Sequence, residues 1–402
     1  MVQGNATLVV DLGNSSTKGR VLFGKDAKTG NYRVRSFDLS NVFAKIDPNY
    51  EVSSDYSDLT STILRVDTTV GGLEVKGDFC NGELQQRESP KSIIRPSAVD
   101  KKWNLDSSAL SFRLALLHAY KAVMDISRVT DFRQVDVSWN VVTLLPPGDV
   151  DTGREPITEM IKSITHIESV YPEASIDIRI NKVMVYPEGF CAYAGVVFGA
   201  GSVYRAETKF LTEESVLVLD IGAGTTDICV IRNGKLVQSS KYTIQTGGNN
   251  VYQQVRRQVM KQGMWLDEAD IQRGVVTGVV RDGAKQVSII DTVNQAKETV
   301  SQTLVAEVQD FLELTDTKLR SIGYILICGG GAMSESDVPE IHPLSERVFE
   351  SIRKLSPNCG LVQIPTHVVT KEQPDGDIKR VEEQISPREL NIVGASILAE
   401  LI

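Results

Sequence analysis

The chain has 402 residues, of which 41% are hydrophobic and 24% are charged. At roughly 100–200 residues per domain, this length predicts two or three globular domains rather than one. The composition excludes a small disulfide-stabilised scaffold, a collagen-like fibre and a mainly disordered chain.

The charge balance argues against direct contact with nucleic acid. The net charge is −9, from 43 basic and 52 acidic residues. Proteins that bind DNA phosphates directly usually carry clustered Lys and Arg. The densest basic positions here are only pairs, such as 101–102 and 256–257. We therefore expect no direct nucleic-acid partner.

Cysteine usage and hydropathy predict a cytoplasmic protein. The five cysteines are scattered and form no CxxC pair, which favours a reducing compartment and argues against a zinc or iron–sulfur site. The N-terminal residues lack the pattern of a signal peptide, and no run of about 18 apolar residues predicts a membrane span. We expect a cytoplasmic location and no membrane partner.

An internal repeat divides the sequence into two halves. Residues 8–22 read LVVDLGNSSTKGRVL, and residues 217–231 read LVLDIGAGTTDICVI. The repeat aligns three pairs of residues: Asp11 with Asp220, Gly13 with Gly222, and Thr17 with Thr226. Each copy starts as a buried apolar strand, turns through small polar residues and continues as a second strand. The repeat therefore predicts two related α/β halves, each opening with a β-hairpin.

The other elements follow from periodicity and from capping residues. Helices are predicted at 110–124, from about Pro156, at 190–201, 249–263 and 291–314, and from Ser386 to the end. Strands are predicted at 42–46, 63–70, 135–145, 182–186, 241–246 and 324–328. The stretch 76–96 is expected to be rich in loops, and the charged segment 371–383 to be a surface loop.

The first hairpin turn has residues that suit a phosphate chain. Gly13 lets the backbone approach a ligand closely, and Lys18 adds a positive charge. Three residues between them present N–H groups and hydroxyls: Asn14, Ser15 and Ser16. Asp11 ends the strand, where a carboxylate can hold Mg²⁺ through water. Alone, this motif also fits an ordinary hydrated hairpin.

The second hairpin turn repeats this chemistry. Asp220 again ends a strand and is the second predicted ligand for Mg²⁺ through water. The turn after it is composed of Gly222, Ala223, Gly224, Thr225 and Thr226. Two matching hairpins favour a phosphate clamp over two unrelated turns.

Two glycine-rich loops follow strands in the second half. One contains Gly247, Gly248 and Asn249, and the other contains Gly329, Gly330, Gly331 and Met333. Glycines permit a flat ligand such as adenine and ribose to lie against the backbone. Each loop alone is weak evidence, because a tight turn between a strand and a helix explains it equally well.

Glu188 follows a predicted strand and a proline, and two interpretations remain open for it. A glutamate in a first helical turn commonly interacts with the helix dipole. Alternatively, it orients a water molecule against a terminal phosphate, because phosphoryl transfer depends mainly on positioning and charge neutralisation. The sequence has no Walker A pattern, so a P-loop fold is not supported.

Together these motifs resemble those of the actin, sugar-kinase and heat-shock-chaperone ATPase superfamily. DLGNSSTKGRV is similar to its first phosphate motif, VLDIGAGTTDICVI to the second, and ILICGGGAM to its adenosine motif. VYPEGFCAYAG resembles the connecting segment that carries the catalytic Gln or Glu, here Glu188, and TIQTGGNN the loop at ribose and phosphates. The Glu in VYPEG and the NGELQQRESP stretch look most like ParM-type plasmid or phage actins.

The resemblance implies a fold, a cofactor and a function. The fold is α/β, with two actin-like domains, each a mixed β-sheet flanked by helices, and a nucleotide cleft between the domains. Domain I is expected at 1–205 with the C-terminal helix 386–402, and domain II at 206–385. The cofactors are ATP (or GTP) and Mg²⁺, with Glu188, Asp11 and Asp220 catalytic.

By resemblance, the protein polymerises with ATP into dynamic filaments, and hydrolysis drives their disassembly. The filament segregates plasmid or phage DNA through an adaptor protein bound to a centromere-like site. Two alternatives use the same clamp: a monomeric small-molecule kinase, and a nucleotide-gated adaptor without turnover. A kinase would need an added acceptor for phosphate transfer, and an adaptor would bind ATP tightly without hydrolysing it.

Overall fold

The computed structural model describes residues 1–13, 16–27, 30–46, 61–70, 73–82, 93–96, 100–315, 317–332, 336, 338–372 and 378–401. By its internal contacts the chain divides into two compact units. The first comprises Met1–Pro187, Ala200–Ser202 and Ala395–Ile402, and the second comprises Glu188–Gly199 and Val203–Gly394. Compared with the predicted domain bounds, the second unit also includes 188–199, 203–205 and 386–394.

The first unit contains eleven described strands and two helices. The strands are β1 (Val2–Leu12), β2 (Ser16–Lys25), β3 (Tyr32–Ser40), β4 (Phe43–Ile46), β5 (Ser61–Val70), β6 (Leu73–Gly82), β7 (Ile93–Ile94), β8 (Val135–Leu145), β9 (His166–Tyr171), β10 (Ala174–Asp177) and β11 (Arg179–Pro187). The helices are α1 (Asp106–Ser127) and α2 (Val150–Lys162).

The strands of the first unit form two sheets. One has the order β11-β8-β1-β2-β3, and the other has the order β10-β9-β5-β6-β4-β7. Strand β1 lies in the middle of the first sheet, parallel to β8 and antiparallel to β2. Its residues 8–10 are fully buried, which explains their continuous apolar run. Helix α1 packs against β1 and β2.

The second unit contains the remaining helices and strands. The helices are α3 (Glu188–Val197), α4 (Asn249–Lys261), α5 (Glu268–Thr277), α6 (Ile290–Leu314), α7 (Leu344–Leu355) and α8 (Leu390–Ala399), the last of which ends in residues of the first unit. The strands are β12 (Ser215–Ile221), β13 (Thr226–Arg232), β14 (Lys235–Leu236), β15 (Tyr242–Ile244), β16 (Val279–Asp282), β17 (Lys285–Ser288), β18 (Tyr324–Cys328), β19 (Gly360–Leu361), β20 (Thr366–Glu372) and β21 (Ile378–Gln384).

The sheet of the second unit has β12 at its centre. Its order is β14-β13-β12-β18-β19, with β15 also pairing with β13. Alternate residues of β12 face opposite sides. Leu217, Leu219 and Ile221 join the hydrophobic core that α4, α6 and α7 also line. The other face packs against α3, so Asp220 points away from the core cluster and towards the side that α3 covers.

Most predicted elements are confirmed, and three need correction. The helix expected at Pro156 begins at Val150, because the turn at Pro147–Asp149 leads directly into it. The stretch 76–82 continues strand β6 instead of forming a loop. The predicted surface loop 371–383 is largely strand: β20 and β21 pair as an antiparallel hairpin. Its expected tip, 374–376, lies outside the described residues.

Helices α3 and α8 approach each other closely through glycines. A Cβ atom on Gly394 would lie 1.7 Å from the carbonyl oxygen of Cys191, and one on Gly195 would lie 3.0 Å from that of Leu390. Backbone therefore packs against backbone at this crossing, and it tolerates no side chain at Gly394.

We predict that Gly394→Ala lowers the melting temperature sharply. The added methyl group must displace a backbone carbonyl, which costs more than about 2 kcal/mol. Gly148→Ala is the matched control, since no atom of the described residues lies within 4 Å of a Cβ at Gly148, and its effect should stay within about 0.5 kcal/mol. Equal melting temperatures for the two variants would contradict the close contact.

Candidate functional site

The two hairpins of the repeat have the same register. Four cross-strand pairs flank the two turns: Asp11 with Lys18, Leu12 with Thr17, Asp220 with Asp227, and Ile221 with Thr226. Each turn is closed by one backbone hydrogen bond, from Gly13 N to Ser16 O (3.0 Å) and from Gly222 N to Thr225 O (2.8 Å). The repeat in the sequence is therefore a repeat of local structure.

A buried threonine ties each turn to a neighbouring segment. Thr17 Oγ1 donates to Asn41 Oδ1, and the Asn41 amide in turn donates to the carbonyl of Gly13. In the second hairpin, Thr226 Oγ1 donates to Thr246 O at 2.7 Å. Both threonines are completely buried, so each hairpin is anchored to a neighbouring segment beside its turn.

The two strand-end aspartates have different electrostatic neighbours. Asp11 is buried and forms an ion pair with Lys18 Nζ at 3.7 Å. Across from Asp220 lies a second buried carboxylate, Asp227. Like charges directly opposite each other in a sheet repel. The second hairpin is therefore the more electronegative of the two.

Hydrogen-bond donors surround this carboxylate pair. Thr243 Oγ1 donates to Asp227 Oδ1, and Asn391 Nδ2 donates to Asp220 Oδ2. Both contacts join residues far apart in the chain. They hold the two carboxylates in place at the end of the hairpin.

The two predicted glycine loops meet at the second turn. Gly248 N donates to Gly222 O at 2.9 Å, and Asn249 N donates to Ala223 O at 2.7 Å. A Cβ on Gly331 would lie 2.2 Å from Gly222 O. The turn 222–225 is thus enclosed by the backbones of both loops, and side chains are excluded from the contact.

Gly329 brings the third loop against Asp220. Its φ of +90° is a conformation that glycine adopts readily, and a Cβ there would lie 2.3 Å from Asp220 Oδ1. Its N–H donates to Pro387 O at 3.0 Å. The segment before α8 therefore supports the loop through Pro387, and the first turn of α8 supports the aspartate through Asn391.

Glu188 lies in the same unit, at the first turn of α3, and is 8% exposed. Helix α3 packs on β12 and β13, and a Cβ on Gly189 would lie 2.8 Å from Cys229 Sγ. The pKa of the Cys328 thiol is raised well above its usual value, first by burial and then by the charges of Asp220 and Glu188 among others. The carboxylates of Asp220, Glu188 and Asp227 therefore all lie near enough to the Cys328 thiol to raise its pKa.

Most predicted site residues of the second half are thus brought together. The cluster contains Glu188, Asp220, Gly222, Ala223, Thr225, Gly247, Gly248, Asn249, Gly329 and Gly331. Asp11, Gly13, Ser16 and Lys18 form the equivalent turn in the first unit. Asn14, Ser15 and Met333 lie outside the described residues.

Several residues that shape the site were not predicted from the sequence. Asn391, Asn41, Thr243 and Asp227 contact the turns or the aspartates. Asp227 alone carried a signal, because it follows Thr226 within the repeated motif. The others bind across large sequence separations, which a local motif does not record.

The donor set fits a divalent cation bound through water. Among the described residues, no group of three His, Cys, Asp or Glu side chains is arranged to hold a metal directly. Mg²⁺ keeps several waters and is commonly held by one or two carboxylates together with phosphates. The buried carboxylates of the second hairpin beside an N–H-rich turn meet that requirement.

Across the described helices, none is long and apolar enough to cross a membrane.

Comparison with known sequences identifies two relatives. The family described as archaeal actin homologue MreB-like, C-terminal, matches residues 218–337. The cell division protein FtsA of Bacillus subtilis (strain 168) is 26% identical over 275 residues, which cover 61% of this chain. The chain's match spans 59% of the length of FtsA.

Comparison with solved structures covers nearly the whole chain. The archaeal actin homologue Ta0583 aligns with a TM-score of 0.65 at 15% identity, over 100% of this chain and 99% of its own. The actin-like protein Alp7A gives 0.67 at 14%, over 99% and 96%. A pCBH ParM mutant gives 0.61 at 17%, over 99% and 100%.

These comparisons agree with the motifs and with the geometry of the hairpins. The mixed α/β architecture predicted from the sequence is confirmed by the three structural neighbours. The chain has the actin-like fold, which confirms the predicted resemblance at the level of the fold, and a ParM is among the structures that share it.

Proposed function

We propose that this chain is an ATP-dependent actin-like protein that polymerises into dynamic filaments. The observation that carries the proposal is the enclosure of the 222–225 turn by two glycine loops, with Asp220 beside it. The backbone N–H groups of such a glycine-rich turn, next to a carboxylate, suit a phosphate chain and its cation.

The residues of the site divide into three roles. The turn 222–226 binds phosphate oxygens through backbone N–H groups. In the first hairpin, Ser15 and Ser16 bind them through N–H groups and hydroxyls, and Lys18 adds a positive charge. Gly247, Gly248 and Asn249 take the ribose, and the loop from Gly329 to Met333 takes the adenine. Asp220 and Asp11 hold Mg²⁺ through water. Bound Mg²⁺ neutralises charge on the phosphates.

Hydrolysis then requires one positioned water molecule. Glu188 is held at the first turn of α3, which packs on the strands of the second hairpin. Its carboxylate accepts a hydrogen bond from the attacking water and orients it towards the terminal phosphorus. Phosphoryl transfer depends mainly on such positioning and on charge neutralisation. Loss of the terminal phosphate weakens subunit contacts and times disassembly.

Related structures support the nucleotide and the polymer. Ta0583 has been solved in complex with ADP, and the ParM of Bacillus thuringiensis with AMPPNP. A ParM from Clostridium botulinum forms a 15-stranded filament. We extend these properties to this chain and propose plasmid or phage DNA segregation through an adaptor protein. Its net charge of −9 is compatible with indirect contact to DNA.

Light scattering after addition of ATP and Mg²⁺ tests this proposal. We expect scattering to rise only above a threshold protein concentration and to decay as ATP is consumed, with phosphate release following the rise. Polymerisation has a critical concentration, whereas a soluble enzyme is active at every concentration. Phosphate transfer that needs an added small-molecule acceptor, with flat scattering, would instead support a monomeric kinase. Tight ATP binding without turnover would support a nucleotide-gated adaptor.

Glu188→Ala should separate binding from hydrolysis. The variant is expected to bind ATP normally and to keep filaments long. Its rate of ATP hydrolysis should fall by at least about 100-fold. Glu268→Ala is a matched control, because Glu268 is also in the first turn of a ten-residue helix but is exposed. If both variants release phosphate at the wild-type rate, Glu188 has no role in hydrolysis.

A further inference from the structure

Asn391 has an unusual hydrogen-bonding state next to Asp220. Its side chain is buried, with 7% of its surface exposed. The amide nitrogen donates to Asp220 Oδ2, whereas the buried amide oxygen Oδ1 has no hydrogen-bond partner among the residues that the structure describes. Buried polar atoms in folded proteins are almost always paired, so an orphaned acceptor beside a carboxylate needs an explanation.

The orientation of this amide is determined by the carboxylate. If the amide were reversed, its oxygen would face Asp220 Oδ2, and two acceptors would repel. The nitrogen therefore faces Asp220 and the oxygen remains available as an acceptor. What is missing at this place is a hydrogen-bond donor.

The surrounding backbone holds Asn391 in place. Pro387 O accepts from Gly329 N at 3.0 Å just before α8 begins. One turn after Asn391, Gly394 packs against the backbone of Cys191. Both contacts fix the start of the helix, so the carboxamide is presented to Asp220 by a rigid element.

In the first hairpin, a different kind of group pairs with the strand-end aspartate. There, Lys18 lies across from the strand-end Asp11 and pairs with it at 3.7 Å. In the second hairpin that cross-strand position is occupied by Asp227. Asn391 provides a donor to Asp220 without adding a positive charge, and therefore leaves the electrostatic attraction for a cation intact.

We propose that Asn391 is a positioning residue for a hydrated divalent cation at Asp220. Its Nδ2 holds the carboxylate, and its Oδ1 accepts a hydrogen bond from a water molecule in the cation's shell. Metal-bound water is a polarised donor, and outer-shell groups that orient such ligands commonly change metal affinity 10–100-fold. The inference rests on the proposed function, because the cation arrives with the nucleotide.

The test measures ADP affinity twice for each protein, once with Mg²⁺ and once with EDTA. The ratio of the two dissociation constants reports the cation's contribution. For Asn391→Ala, we expect this ratio to fall about 10-fold, while affinity in EDTA stays within about twofold of wild type. A residue that serves the fold alone would change both constants equally.

Asn294→Ala is the matched control. Asn294 also lies on a helix, where its amide donates to Glu340 O at 2.7 Å and its oxygen accepts from His342 N at 3.2 Å. It contacts no residue of the site in these bonds. This variant should keep the wild-type ratio of dissociation constants.

Each outcome decides between the inference and the proposed function. A wild-type ratio in Asn391→Ala overturns the inference but leaves the proposed function standing. Wild-type ADP affinity that Mg²⁺ does not change overturns the inference alone, whereas wild-type protein that binds no ADP in either condition overturns both. If Asn391→Ala does not fold, Asn391→Leu preserves the side-chain volume without donor or acceptor. If Asn391→Leu does not fold either, NMR of the ADP-bound wild type takes its place. The side-chain NH₂ resonances of Asn391 should then shift when Mg²⁺ is added. Resonances that do not shift overturn the inference.

Discussion

The second unit depends on the packing of three backbone segments around the carbonyl of Gly222. That oxygen accepts from Gly248 N, and Gly331 approaches it so closely that a Cβ would lie 2.2 Å away. Because side chains are excluded, the segments meet through their own polar groups. The turn and both loops therefore lie together where strand β12 ends. The parallel strand β18 ends beside it, with Cys328 paired to Asp220, and carboxyl ends of parallel strands are common ligand positions.

The two hairpins show how one local structure acquires two electrostatic characters. Both have the same register, the same turn hydrogen bond and a buried threonine as support. The charged pair beside each turn differs, because Lys18 lies across from Asp11 and Asp227 lies across from Asp220. A lysine beside an aspartate suits contact with phosphate oxygens, whereas two carboxylates suit a cation.

Local features were predictable from the sequence because their causes are local. The two hairpins follow from alternating apolar and small polar residues, and α6 from apolar spacing over its whole length. The contact of Asn391 with Asp220 was not predictable, because it joins residues 391 and 220 with no period between them. The charged residues of 371–383 predict a loop because they hide the strand pattern of the β20 and β21 hairpin. The proline predicts a helix start at Pro156, whereas α2 begins at Val150 and holds Pro156 in its interior.

Hydrogen–deuterium exchange with and without ADP and Mg²⁺ tests the central claim most directly. The claim is that the backbones of the 222–226 turn and its two neighbouring loops bind the nucleotide. Exchange should slow in peptides covering 222–226, 246–250 and 329–332, and should be unchanged in the exposed hairpin of β16 and β17. Unchanged exchange in all three segments under saturating nucleotide would contradict the account.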